Sequence, residues 1–177
     1  PQDSPIRDSV KIMNPLGEDA SIMRTFSLPS MMQVLATNYS SRNMSAKMFE
    51  VATEYIKVDG QELPNEPKKI IIGAYGDNYD YFDLKGSVEE LIDALNIKDF
   101  DIEPATDIPW YHPGRCAKLS IGEDTLGYIG EIHPLAVKNY GIGAKVYCAD
   151  LSFDVLFKNS GAEKVYHQMP RFPATSR

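Results

Sequence analysis

The chain has 177 residues, 43% hydrophobic and 24% charged, and its 18 basic and 25 acidic side chains give a net charge of −7. That length and composition suit one globular domain, or two small ones, and exclude a disordered or fibrous chain. The acidic balance argues against nucleic-acid binding over the whole surface, because phosphate contacts need clustered Lys and Arg and the only adjacent basic pair is Lys68 and Lys69.

No apolar run approaches the ~20 residues needed to cross a bilayer, and "PQDSPIRDSV" at the N-terminus lacks the charged-then-apolar order of a signal peptide. A cytoplasmic protein is expected. Cys116 and Cys148 sit among apolar neighbours and read as reduced core thiols. The chain has no initiator Met and ends in the proline-containing "HQMPRFPATSR". It reads as a piece of a longer protein, with a domain over 1–165 and a linker over 166–177.

In chain order, "SVKIMNPL" reads as a short strand stopped by the Asn14-Pro15 turn. Residues 27–38 read as a helix, with Ser27 as cap and Pro29 in the first turn. Leu28, Met31, Met32, Leu35 and Tyr39 fall on one stripe of it. "KMFEVATEYIKVDG" alternates as a long strand, with Phe49, Val51 and Thr53 on one face and Glu50, Ala52 and Glu54 on the other. Glu50 and Glu54 lie about 13 Å apart along it at ~3.3 Å per residue. Paired carboxylates of a retaining glycosidase need ~5 Å, so a solvated face is expected. "KKIIIGAYG" is apolar on both faces and reads as a central strand. From Asp83 a helix follows, capped by Asp83 or by a Ser87/Glu90 box, with Gly86 placed for a close neighbour.

Next, "RCAKLSI" and "TLGYIGEI" alternate as two strands of a hairpin around residues 122–124. A three-residue loop sets Leu119 opposite Gly127 and Ala117 opposite Ile129, and carries Arg115 opposite Glu131 on the same face. That charged pair is the main structural expectation for the hairpin. "HPLAVKNYG" reads as a short helix with Pro134 first and Gly141 past its end. "AKVYCADL" is a further strand and "SFDVLF" a helical turn. The sum is an α+β domain around a mainly antiparallel sheet flanked by helices.

Catalytic chemistry is hard to find in this pattern. His112 and His133 each precede a proline and so belong at element ends. With Cys116 they match no zinc spacing. There is no G-x-S-x-G elbow and no Walker loop, and "GIGAK" is a helix stop more simply than a dinucleotide fingerprint.

Six stretches in order, residues 14–38, 48–55, 80–95, 112–117, 126–134 and 170–177, resemble the β subunit of bacterial phenylalanyl-tRNA synthetase. The resemblance implies a module with the class II synthetase core fold that performs no adenylation. It also implies an (αβ)2 heterotetramer whose α subunit activates phenylalanine and charges tRNA(Phe), with ATP and Mg in the holoenzyme and none in this fragment. An active class II site needs a phosphate-holding arginine in its second signature strand. "MFEVATEY" has none, and "DLSFDVLF" lacks the glycine and arginine of the third signature. Each missing donor would cost on the order of 3 kcal/mol or more of transition-state stabilisation. No catalytic, cofactor-binding or metal residue is therefore expected. The first signature forms the interface in that class, so the resemblance makes Leu28, Met31, Met32, Leu35 and Tyr39 the candidate surface for the α subunit. The competing expectation is a free-standing ATP-dependent class II-like ligase.

Overall fold

The computed structural model describes residues 5–161, so His167 and the expected linker over 166–177 lie outside the described residues. Six strands form one antiparallel sheet. They are β1 (Ala46–Thr53), β2 (Lys68–Tyr75), β3 (Asp101–Pro104), β4 (Tyr111–Ile121), β5 (Asp124–Ile132) and β6 (Val146–Ser152), in the spatial order β1-β2-β6-β5-β4-β3. Four helices cover it: α1 (Leu28–Ser40), α2 (Tyr81–Ala94), α3 (Pro134–Asn139) and α4 (Phe153–Asn159).

The alternation of side chains along β6 explains the layering. Val146 and Cys148 join one core with α1 and α3, while Tyr147, Ala149 and Leu151 join a second with α2 and α4. A strand covered on both faces must be apolar at successive positions, and Val146–Asp150 are all buried. The α+β expectation is met: the helices sandwich an all-antiparallel sheet.

The Met-bearing stripe of α1 packs inward. Leu28, Met31, Met32 and Leu35 are buried within this chain's own core, and Tyr39 packs edge-on against Tyr75 at 5.6 Å between ring centroids. Little of that apolar surface is left for a partner, because the first four side chains are packed in this chain's own core and Tyr39 is half-buried. Gly73 makes the approach close. A Cβ there would stand 2.6 Å from Met31 Cγ and 3.0 Å from Leu35 Cδ1.

Several local expectations also change. The first segment forms only a single bridge, Lys11 to Ile22, whose two residues follow the 3-10 turns Pro5–Arg7 and Glu18–Ala20. β1 ends at Thr53 because the next residue in register, Pro67, has no N–H to return to it: the Glu54 amide still reaches Pro67 O (3.0 Å), and the Tyr55 amide is taken by Arg24 O (2.8 Å). α2 starts two residues early. Asp80 Oδ1 accepts from the Phe82 and Asp83 amides at 2.7 and 3.1 Å, and Asp83 Oδ2 accepts from the Asp80 amide at 2.8 Å. This is a capping box built from two aspartates in place of Ser and Glu. Ser87 instead donates to Asp83 O at 3.0 Å. Gly86 has nothing within 4 Å of an added Cβ, so no neighbour needs it. The short edge strand β3 was not anticipated. Its four residues carry two acidic side chains and a proline, which masks its apolar alternation.

Gly127 and Gly86 give opposite expectations. A Cβ on Gly127 would lie 1.9 Å from Asp150 O, a backbone atom of the next strand that cannot swing aside. Gly127→Ala should lower the unfolding free energy by more than about 3 kcal/mol, whereas Gly86→Ala in an open helix interior should raise it by about 0.5–1 kcal/mol. Urea denaturation of both variants checks this.

Candidate functional site

The β4–β5 hairpin carries the charged pair. Its turn has two residues, not three: Ile121 pairs Asp124, and Gly122 takes φ 57°, the conformation that favours glycine first in a two-residue turn. A shift of register would follow, but Leu126 is accommodated as an extra residue between Ser120↔Thr125 and Leu119↔Gly127. The pairs Leu119↔Gly127 and Ala117↔Ile129 then stand as the alternation predicts. A second irregularity follows. Tyr111 pairs Ile132 and Cys116 pairs Gly130, so residues 112–115 lie opposite Glu131 alone. Arg115 is thus not a ladder partner of Glu131, yet its Nη1 donates to Glu131 Oε2 at 2.7 Å. Glu131 is 4% exposed, while the Arg115 side chain is 50% exposed. The carboxylate sits in the wall of the domain and the guanidinium reaches it from outside.

The two His-Pro steps close turns. His112 Nδ1 accepts from the Gly114 amide at 3.1 Å, and His133 Nδ1 accepts from the Leu135 amide at 3.2 Å, capping α3. Each imidazole therefore replaces a missing main-chain partner, the service an Asn or Ser performs at a helix start. Among the described residues no group of three His, Cys, Asp or Glu side chains is placed to hold a metal.

On the α1 face, the sequence pattern missed two polar contacts. Glu54 is buried, not solvated, and its Oε1 accepts from the Ser27 amide at 2.9 Å. A carboxylate from beyond the end of β1 thus satisfies the first turn of α1, which the Ser27 side chain does not cap. Burial pushes the Glu54 carboxyl above its ordinary value. Lys69 opposes the shift, Asp150 adds to it, and the Ser27 amide opposes it. Lys69 Nζ also lies 3.2 Å from Asp150 Oδ1. The second contact concerns Arg24. β1 itself has no arginine, but the fold brings this one against it. Its Nη2 lies 2.8 Å from Glu50 Oε1 and its Nε donates to Thr53 O at 2.9 Å. The guanidinium is occupied by the strand it approaches. No periodicity in "SIMRTF" announces either contact, since both join segments 26 and more residues apart.

The sheet, its strand order and the helices on both faces define the class. Two solved structures of pyrrolysyl-tRNA synthetase from Desulfitobacterium hafniense superpose with TM-scores of 0.67 and 0.64. They cover 89% and 81% of this chain and 55% and 51% of theirs, at 15% and 13% identity. The fold is that of a class II aminoacyl-tRNA synthetase core. Residues 2–153 match the family model described as the phenylalanyl tRNA synthetase beta chain CLM domain, and the chain belongs to that family. Relatives named phenylalanine–tRNA ligase beta subunit, from Clostridium tetani, Clostridium acetobutylicum and Symbiobacterium thermophilum, are 47%, 43% and 34% identical over all of this chain. The alignments cover 22%, 22% and 21% of those relatives, so the chain spans about a fifth of their length.

The raised Glu54 value has a sign that can be tested. The folded state binds the proton more tightly than the unfolded chain, so stability falls as pH rises from 4.5 through the folded value and stays reduced above it. Gln keeps the acceptor for the Ser27 amide without the charge. Glu54→Gln should therefore be more stable than the parent at pH 7.5 and lose that advantage at pH 4, as read from denaturant midpoints at the two pH values.

Proposed function

We propose that this chain is a non-catalytic, synthetase-like module of a phenylalanine–tRNA ligase β subunit, which packs against an α subunit in an (αβ)2 heterotetramer. In this reading the α subunit holds ATP and Mg, makes the adenylate and charges tRNA(Phe) in the cytoplasm, while the module supports it. The family match over residues 2–153 carries the reading. The chemistry of β1 supports the silent half of it. Glu50 occupies Arg24, so this guanidinium is not left as a free cation for a nucleotide phosphate. Among the described residues no helix is long and apolar enough to cross a membrane.

With the α1 stripe inside the core, the partner surface must lie elsewhere. β1 is an edge strand whose outer face carries Phe49 and Val51, 75% and 53% exposed. Together with Ile70, Ile72 and Leu91 they line an apolar trough of about 370 Å³ beside α2. Obligate interfaces are apolar in this way, and this trough is the reading's choice for the α subunit.

The test is co-expression with an α subunit, followed by co-purification and ATP–pyrophosphate exchange. The parent chain should bring α down in stoichiometric amount and show no exchange alone. Phe49→Glu with Val51→Glu should abolish co-purification, while Met31→Leu should leave it intact. Exchange by the isolated chain would favour a free-standing ligase instead.

A further inference from the structure

We propose that the cleft beside the Arg115–Glu131 pair binds a small ligand with an aromatic or apolar body and a single carboxylate. The cleft lies on the α2 side of the sheet, has a volume of about 520 Å³, and is separate from both β1 and the trough described above. That volume is within the usual size range of small-molecule sites.

Three observations set the ligand's chemistry. The first is the charge. Two carboxylates line the cleft, and both are engaged: Asp80 caps α2 and Glu131 holds Arg115. Two cations line it as well. Arg115 commits Nη1 to Glu131, which leaves the rest of its planar fork of donors facing an open site. Lys145 is exposed and forms no ion pair with a described residue. The formal charges cancel, but both carboxylates already accept hydrogen bonds while Lys145 and the remaining Arg115 donors have no described partner, so the groups free to meet a ligand are cationic.

The second observation is orientation. Glu131 is buried and cannot follow solvent, so it fixes the guanidinium it grips. A fixed fork loses less conformational freedom on meeting a carboxylate than a free arginine does. The third is the wall. Tyr81, Phe82 and Tyr147 contribute rings and Ile102 adds an aliphatic surface. Phe82 is 74% exposed at the mouth, where an apolar ligand would cover it. A mostly apolar cleft with two cations suits a monoanion with a greasy body. A nucleic-acid strand would need a longer basic track, and the chain's net charge of −7 opposes it.

The experiment titrates the full 177-residue chain with phenylacetate, benzyl alcohol and a single-stranded oligonucleotide, following amide chemical shifts and heats of binding. Phenylacetate should saturate, with the largest shifts at residues 81, 82, 115, 145 and 147. Benzyl alcohol should bind at least about tenfold more weakly, as expected for the loss of charged hydrogen bonds. Lys145→Met and the double replacement Arg115→Met with Glu131→Met should each weaken phenylacetate binding to a similar degree. The double replacement leaves no lone buried charge, and its circular dichroism checks that it folds. Absence of saturation, equal affinity for benzyl alcohol, or affinity unchanged in both variants would overturn the proposal. Tighter, salt-dependent binding of the oligonucleotide at the same residues would overturn it in favour of a nucleic-acid contact.

Discussion

Burial of β6 between two helix layers is the constraint on which the other features depend. A central strand with water on neither face has no room for a polar side chain without a partner. Where one occurs, at Asp150, it is matched by Lys69 across the β2–β6 ladder. The same crowding dictates glycine where backbones or helices come closest. Gly73 admits the Met31 side chain, and Gly127 admits the Asp150 carbonyl. Close packing of this kind transmits local changes, because interiors have few voids in which to absorb them.

Glu54 leaves the end of β1 and meets the start of α1, tying the first helix to the sheet edge by one carboxylate. Arg24 reaches over the same strand to Glu50 and Thr53. Both contacts gather charge around β1, and both use it for holding the chain together. With Arg24 committed to Glu50 and Thr53, β1 offers no free guanidinium with which to stabilise charge developing on a nucleotide phosphate. This is the physical content of the word non-catalytic as proposed for the module.

Much of the fold was legible in the residues. The period-2 alternation of β4 and β5 fixed which side chains share a face, and the ladder pairs Leu119↔Gly127 and Ala117↔Ile129 followed from it. The helical stripe of α1 was equally plain. Its destination was not, because a core stripe and an interface stripe are the same pattern until a partner surface is known. The hairpin turn was misread by one residue, and the bulge at Leu126 compensated. Bulges leave almost no trace in sequence, since any residue can be the extra one. The role of Glu54 was hidden for a related reason. Alternation placed it on a face, but the strand stops before it and its partner lies on a distant helix. The cleft beside Arg115 likewise gathers residues from five separate segments, a grouping that only the folded chain produces.

The two cysteine sulfurs share one buried environment. Cys116 and Cys148 are both free and buried in the core under α1. Burial pushes the Cys116 thiol up to about 11, with a smaller contribution from Asp107, and lifts Cys148 higher still. Only a thiolate attacks a peroxide or exchanges with a disulfide. At neutral pH both sulfurs are held as thiols, the unreactive form for peroxide attack and disulfide exchange.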